Sequence, residues 1–408
     1  MKYLTSIWTT IILGITLLGV RISDPQLVEQ FRLNIFDQVI QSMPVEHSND
    51  IVLLNISESS LEAYGQYPWP RQNHAAVISD LRNANAGMIG FTIMFPEADR
   101  FGRDEVFASW INANGIILAQ DSDENGRSSK APYVGYATFG YSGDILDLTY
   151  RYKGLVTNIE ELEKHSWGVG LLNGAPEVDN QTRRIPLMSQ VNGNVYPSFA
   201  LETVRALQNK KSYTVKLNES GIESIILRPF IIPTDERGSI WLKWNTHFDS
   251  YDYGTPLPDL KGKTVIIGVT AKGISPQITT PAGLLYPHQL QANALQTIIS
   301  DSPISRPQWT FAAELGMILI GSLLIVLAVY YLPIWIGLVF FVGSAAAVCY
   351  AVYYAWYEFS ILLDLSASLL IYILLLTSSS FNNFYKQFVL RQQIKKQFGT
   401  YVSPDLVK

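Results

Sequence analysis

Cysteine is almost absent from the 408-residue chain, and its single copy, Cys349, lies inside a long apolar segment. The polar part of the chain therefore has no disulfide, and a zinc site built on thiolates is excluded there. An oxidising compartment is still allowed, because such compartments permit disulfides without requiring them. A polar region of this length buries a full hydrophobic core without covalent cross-links.

Several signatures of catalysis and binding are also missing. The sequence has no G-x-x-x-x-G-K-[ST] loop and no G-x-S-x-G turn, so it gives no basis for P-loop or serine-hydrolase chemistry. Its five histidines show no metal-ligand spacing. The net charge is −5 and no basic cluster occurs before the C-terminal tail, so nucleic-acid binding is not expected.

Long apolar segments are present, in an uneven order. A bilayer core needs about 20 apolar residues per helix. The candidates are residues 7–20, 309–330, 334–355 and 359–377, and nothing between residues 21 and 308 qualifies. This layout predicts a first anchor (1–21), a large polar outer domain (22–305), a three-helix membrane cluster (306–379) and a cytoplasmic helical linker (380–408). It is typical of a membrane receptor, whereas the mass of a transporter lies in its spans.

The tail determines the predicted orientation. Its basic residues are Lys386, Arg391, Lys395 and Lys396. Short segments rich in Lys and Arg stay in the cytoplasm, and four spans place both termini on that side. Lys2 agrees with this orientation, and Arg21 argues weakly against it. An uncleaved anchor is favoured over a signal peptide, because no A-x-A-like cleavage site follows the first segment.

The outer domain alternates short apolar runs with amphipathic stretches. Predicted strands cover residues 51–56, 87–95, 115–119 and 263–269, and predicted helices cover 73–84, 104–113 and 288–299. This order predicts an α/β domain with a largely parallel or mixed sheet and crossover helices, in which the first and last strands are neighbours. The full predicted fold adds four transmembrane helices and a C-terminal cytoplasmic helix.

One short motif in the outer domain sets a tryptophan between two prolines. It reads Pro68-Trp69-Pro70-Arg71 and is followed by His74. These residues could line a ligand cleft. The favoured interpretation is structural, because prolines fix φ and suit turns. In that case the tryptophan packs in the core, and the arginine pairs with an acid or caps a carbonyl.

Two acids lie within the predicted spans. Glu314 and Asp364 are each about five residues from the outer face, so at 1.5 Å per residue they share a depth. Charged residues in spans are rare and usually face the bundle interior. No Lys or Arg inside the spans is predicted to pair with them, so at least one is expected to be protonated or bonded to a hydroxyl such as that of Ser366. The pair predicts a polar lock that keeps the spans in register; the alternative is that both acids reach the wet interface.

Aromatic residues continue after the last span at near-helical spacing, among basic residues. The residues that mark this stretch are Phe384, Phe388, Arg391, Phe398 and Tyr401. The pattern predicts the stalk of a homodimer that leads to an output domain. In a second interpretation, compatible with the first, the basic side chains rest on anionic headgroups of membrane lipid.

Several stretches resemble the second class of CHASE domains, which are extracellular sensory domains associated with cyclases and histidine kinases. The matching stretches are residues 24–25, 56–61, 67–71 with His74, 90–95, 179–184, 261–268, 280–281 and 292–294. The Pro-Trp-Pro-Arg element is the most specific of them. Three spans directly after such a domain also resemble the usual layout of the family.

The chain departs from this family at several polar positions. Where the family often has acids, this chain has Ser57, Thr92 and Pro276; where it often has Gly, an acid and His, this chain has His288, Leu290 and Gln291. The departures predict that a ligand or ion pocket built on those positions is altered or lost.

Residues 398–407 resemble the segment that enters class III nucleotide cyclase domains. The resemblance implies that the chain is the sensor, membrane and connector part of a receptor adenylate cyclase in a bacterial inner membrane. It implies a homodimer, and an extracytoplasmic ligand or protein partner. No catalytic residue, cofactor or metal is predicted in this chain, since ATP and a divalent metal belong to the cyclase domain. The alternative is a dimerisation scaffold whose outer domain no longer binds a ligand.

Overall fold

The computed structural model describes residues 7–126, 130–132, 134–300 and 303–401, which form two compact units. The sheet unit is Val39–Ser305, and the membrane unit consists of the described residues before and after it. The helices are α1 (Ile7–Ser23), α2 (Gln26–Gln41), α3 (Glu58–Tyr64), α4 (Arg71–Asn83), α5 (Asp104–Asn114), α6 (Ile145–Leu148), α7 (Glu160–Glu163), α8 (Phe199–Leu207), α9 (Pro287–Ile299), α10 (Trp309–Tyr331), α11 (Ile334–Phe359) and α12 (Ser366–Tyr401).

The strands all lie in the sheet unit. They are β1 (Glu46–Ile56), β2 (Ile89–Phe91), β3 (Ile116–Asp123), β4 (Tyr136–Gly140), β5 (Tyr150–Tyr152), β6 (Gly154–Val156), β7 (Gly168–Leu171), β8 (Ala175–Pro176), β9 (Thr182–Pro186), β10 (Met188–Val191), β11 (Asn194–Pro197), β12 (Tyr213–Asn218), β13 (Gly221–Leu227), β14 (Phe230–Pro233), β15 (Ser239–Trp241), β16 (Thr246–Asp252), β17 (Thr264–Val269), β18 (Ile278–Thr280) and β19 (Gly283–Leu285).

The central sheet has the order β16-β1-β17-β2-β3, and β3 also pairs with β6 and β7. All of these neighbours run parallel except β3 and β6. The predicted mixed α/β architecture is confirmed, and so is the pairing of the first strand, β1, with the last parallel strand, β17. The region between β3 and β16 contributes smaller sheets, ordered β11-β10-β5, β14-β13-β12-β4 and β15-β9-β8.

Helices cover both faces of the central sheet, as is usual for parallel strands. Val265 and Ile267 of β17 pack with α4 and α5 in the main core. The intervening residues face the opposite way, toward α8 and α9. A Cβ atom on Gly268 would lie 2.2 Å from the ring of His288 on α9. Glycine at this position therefore lets α9 lie directly on the sheet.

The membrane unit has three helices long and apolar enough to cross a bilayer, namely α10, α11 and α12, and a fourth span if α1 and α2 count as one. α1 and α2 are bent by 73° at their junction. The sequence analysis did not predict α2. Its buried apolar residues Leu33, Phe36 and Ile40 recur at helical spacing. α12 is continuous, so the last predicted span and the predicted linker helix are one element.

The predicted position of Asp364 inside the last span is wrong. α11 ends at Phe359, where Ser360 adopts a left-handed φ of 50°, and α12 begins only at Ser366. Asp364 lies in the intervening segment, residues 360–365, which we call the link. Its Oδ1 accepts hydrogen bonds from the Ser366 amide at 2.8 Å and the Ser366 hydroxyl at 2.5 Å. A carboxylate at the N-terminus of a helix caps free amides and is stabilised by the helix dipole.

Candidate functional site

The Pro-Trp-Pro-Arg motif joins α3 to α4, and both of its large side chains are engaged inside the sheet unit. Trp69 is buried, and its Nε1 donates to the Gly65 carbonyl at 2.8 Å. Arg71 donates to Asp104 Oδ1 at 3.0 Å and to the Glu97 carbonyl at 2.5 Å. The tryptophan of the motif is therefore packed in the core and its arginine is paired with an acid, as the structural interpretation predicts.

Two histidines of the sheet unit are fully buried. The ring of His74 is surrounded by aromatic rings, the nearest that of Phe95 at 5.1 Å between centroids. Burial lowers the pKa of His74 to about 3, and the charge of Arg71 acts in the same direction. His288 Nε2 lies 2.9 Å from Asn55 Oδ1, and burial lowers its pKa to about 3 as well. Both rings are therefore neutral at physiological pH.

The polar positions at which the chain departs from its resemblance lie near the carboxyl ends of the parallel strands. Open parallel sheets bind ligands at this edge. Here the side chains bind protein atoms: Thr92 Oγ1 donates to the Ile267 carbonyl at 2.9 Å, and Gln291 Nε2 donates to the Leu172 carbonyl at 3.1 Å. Among the described residues, no group of three or more His, Cys, Asp or Glu could hold a metal ion.

Six charged side chains meet in the membrane unit, where α1 ends and α10 and α12 begin. They are Arg21, Asp24, Arg32, Arg306, Glu314 and Asp364, and we call them the charge cluster. Three are basic and three are acidic, so their formal charges cancel. Glu314 and Asp364 are each 1% exposed and Arg21 is 3% exposed. Burial of this kind is tolerated only when charges are paired and hydrogen-bonded.

Glu314 is the centre of the charge cluster. It accepts hydrogen bonds from Arg21 Nη2 at 2.6 Å and from the Asp364 amide at 2.8 Å. Arg306 approaches both carboxylate oxygens, at 2.8 and 3.1 Å. The sequence analysis considered only Lys and Arg inside the spans as partners of the two acids and did not anticipate these arginines. Both arginines lie outside the apolar windows, one at the end of α1 and one before α10, and long side chains reach the acids from there.

The remaining members extend the charge cluster to the junction of α1 and α2. Arg32 donates twice to the carboxylate of Asp24, at 2.7 Å each. Arg21 lies 3.7 Å from Asp24 and 3.6 Å from the Oδ2 of Asp364. The Ser366 hydroxyl was predicted as a partner for the acids, and it does bind Asp364. The charge cluster thus connects α1, α2, α10, the link and α12.

The far end of α12 carries the predicted stalk. Phe384, Phe388 and Arg391 are exposed, and the rings of the two phenylalanines stack with their centroids 6.4 Å apart. The side chains of Phe398 and Tyr401 lie outside the described residues. Phe384 is 66% exposed and Phe388 is 48% exposed.

Residues 9–329 match the family model of the CHASE2 domain, a family of sensory domains. The chain belongs to the CHASE2 family. The matched range contains the sheet unit, most of α1 and most of α10. Every member of the charge cluster except Asp364 therefore lies inside the CHASE2 range, whereas the link and α12 follow it. No curated protein and no solved structure matches the chain. A CHASE2 sensory domain with apolar helices at its C-terminal side is the composition of a membrane sensor.

Sequence reasoning identified Glu314 and Asp364 as a pair and missed Arg21, Asp24, Arg32 and Arg306 as their surroundings. A signal for these four was available. Each is a charged residue within a short distance of an apolar segment, and together they balance in charge with the two acids. Their pairing across nearly 300 residues of intervening sequence could not be read from spacing.

Proposed function

We propose that the chain is a receptor module that senses an extracytoplasmic cue and passes it through four spans to a cytoplasmic adenylate cyclase. The observation that carries the proposal is the continuity of α12. This helix starts two residues after Asp364 of the charge cluster and continues to Tyr401. Because it has no break, a rotation or shift at the charge cluster would reach the far end of the helix as a rigid movement.

The dimensions and charges of α12 support this direction of signalling. From Ser366 to Lys386, a helix rises roughly 30 Å, which is the thickness of a hydrocarbon core. The charge cluster then lies at one membrane face and the basic residues from Lys386 onward at the other. Basic residues favour the cytoplasmic side. The three arginines of the charge cluster lie at the opposite face, where each is bound by an acid of the charge cluster.

We propose that a second copy of the chain covers the exposed aromatic residues of α12, as a parallel stalk. Phe384, Phe388, Arg391 and Lys395 follow one helix face at alternating steps of three and four residues, the spacing of a coiled-coil seam. The alternative is contact of Arg391 and Lys395 with anionic lipid headgroups. Cyclase output remains a proposal that rests on the resemblance of residues 398–407.

Single-cysteine variants in a Cys349→Ala background test the orientation and the dimer together. The Val178→Cys variant is expected to react with a membrane-impermeant maleimide added to intact spheroplasts, and Phe388→Cys only after permeabilisation. Under mild oxidation Phe388→Cys is expected to form a disulfide-linked dimer. Its control is Lys386→Cys, about 200° around the helix from Phe388, which is expected to form much less. Labelling of both variants from the same side refutes the orientation, and equal cross-linking at the two positions refutes the stalk.

One observation favours the scaffold alternative. Thr92 and Gln291, at the sheet edge where a ligand is expected, donate to backbone carbonyls of the protein itself. A sheet unit that binds nothing would still position and dimerise an output domain. Dependence of output on the sheet unit separates the two functions.

A further inference from the structure

Arg306 occupies a special place in the chain. It follows Ser305, the last residue of the sheet unit, and is the first residue of the C-terminal part of the membrane unit. Its guanidinium binds both oxygens of Glu314 and donates from Nη1 to the Leu362 carbonyl of the link at 3.0 Å. It also lies over the ring of Phe36 on α2, 5.1 Å from the centroid. One side chain at the exit of the sheet unit therefore contacts α2, α10 and the link.

The other two arginines of the charge cluster have different sets of partners. Arg21 binds the same carboxylate as Arg306, at 2.6 Å, so Glu314 keeps a cationic partner when Arg306 is removed. Arg32 binds Asp24 in a two-pronged pair. The hydrogen bond to Leu362 therefore distinguishes Arg306 from the other two arginines. This bond fixes the position of the link and does not affect the charge balance of the charge cluster.

The link is the segment that sets where α12 begins. Its Asp364 amide donates to Glu314 Oε1 at 2.8 Å, and its Asp364 carboxylate caps the first amide of α12. Arg306 holds the same segment from two sides, through Leu362 directly and through Glu314. A movement of the chain at residue 306 would therefore change the position of the link, and with it the start of α12.

We propose that Arg306 is the positioning residue that couples the C-terminal exit of the sheet unit to α12, while Arg21 keeps Glu314 paired with a cation whether or not Arg306 is bound to it. The role of Arg306 as a signal relay rests on the proposed function. The claim that Arg306 holds the link can be tested without measuring any output. Loss of Arg306 then releases the link without unfolding the charge cluster.

Hydrogen exchange on the full chain in lipid nanodiscs tests this proposal. In Arg306→Met, amides of residues 362–369 are expected to exchange roughly 10- to 100-fold faster, as for the loss of a hydrogen bond from a charged group. The matched control is Arg32→Met. Arg32 is another arginine of the charge cluster, and it binds Asp24 in place of the link. This variant is expected to speed exchange around residues 20–28 and to leave residues 362–369 as in the wild type.

A more conservative variant keeps the test decisive if Arg306→Met does not fold. Lysine retains the charge but has one ammonium group on a shorter side chain in place of the guanidinium fork, so Arg306→Lys is expected to keep only part of the contacts with Glu314 and Leu362. It is expected to show an intermediate increase of exchange at the link. Unchanged exchange at 362–369 in both Arg306 variants, or an equal increase in Arg32→Met, overturns the proposal. Faster exchange combined with an output that ignores the sheet unit would preserve the positioning role and refute the receptor function.

Discussion

Replacing Glu314 with leucine is expected to destabilise the membrane unit by about 3–5 kcal/mol, the usual cost of breaking a buried ion pair from one side. The change leaves Arg21 without the carboxylate that it binds at 2.6 Å and removes two contacts of Arg306. It also removes the acceptor of the Asp364 amide. The measurement is the unfolding midpoint of the full chain in mixed detergent micelles, with α-helical signal as the readout.

Two companion variants decide whether the loss arises from stranded charge. Glu161→Leu removes a glutamate from an exposed pair with Lys164 and is expected to leave the stability close to that of the wild type. The double variant Glu314→Leu with Arg21→Leu removes the most buried arginine of the charge cluster along with the acid, and is expected to recover part of the loss. Equal effects of Glu314→Leu and Glu161→Leu would contradict the geometry of the charge cluster.

The sheet unit is expected to lose stability steeply in acid because of His74 and His288. Burial lowers the pKa of both to about 3 in the folded chain. The unfolded chain binds a proton on each histidine below about pH 6.5, so stability falls from there down to the folded pKa. The two together contribute a loss of about 2.7 kcal/mol per pH unit. Glu202 opposes them, because burial raises its pKa to about 7 and its protonation favours the folded state between pH 7 and 4.5.

The His74→Phe variant isolates the contribution of His74 to the pH dependence of stability, because Glu202 is present in both the variant and the wild type. When the pH falls from 7 to 4.5, the stability of the variant relative to the wild type is expected to rise by about 2.7 kcal/mol. The reason is that only the wild type loses stability through residue 74 over the two pH units below the unfolded pKa. Chemical denaturation of the full chain followed by tryptophan fluorescence measures this difference. The control is His247→Phe, at an exposed position, for which a pH dependence close to that of the wild type is expected. A stability difference that does not change with pH would contradict a neutral, buried His74.

The central sheet was predictable because its strands are buried on both faces. Such strands appear as short apolar runs, and residues 51–56 and 263–269 both became strands that pair with each other. The crossover helices were predictable from their amphipathic spacing, with boundaries within a few residues. α2 was missed because its apolar spacing is interrupted by Glu29, Arg32 and Asp37. The signal for it was Pro25, since proline commonly stands at the start of a helix.

The charge cluster was only partly predictable, for a physical reason. A charged residue in an apolar segment is visible in the sequence, and this identified Glu314. Its partners depend on which helix ends meet, and Arg21 and Glu314 are brought together only by the packing of α1 beside α10. Asp364 was assigned to a helix because its neighbours are apolar, whereas the left-handed Ser360 ends α11 before it.

The dependence of cyclic AMP synthesis on the sheet unit tests the receptor function most directly. The measurement compares membranes that contain the native gene product with membranes that contain a form in which a short flexible linker replaces residues 45–300, at matched protein levels. The receptor function predicts cyclic AMP synthesis by the intact form and a changed basal rate in the shortened form. An absence of cyclic AMP synthesis would contradict the cyclase output, and equal rates from the two forms would leave the sheet unit with the role of a scaffold.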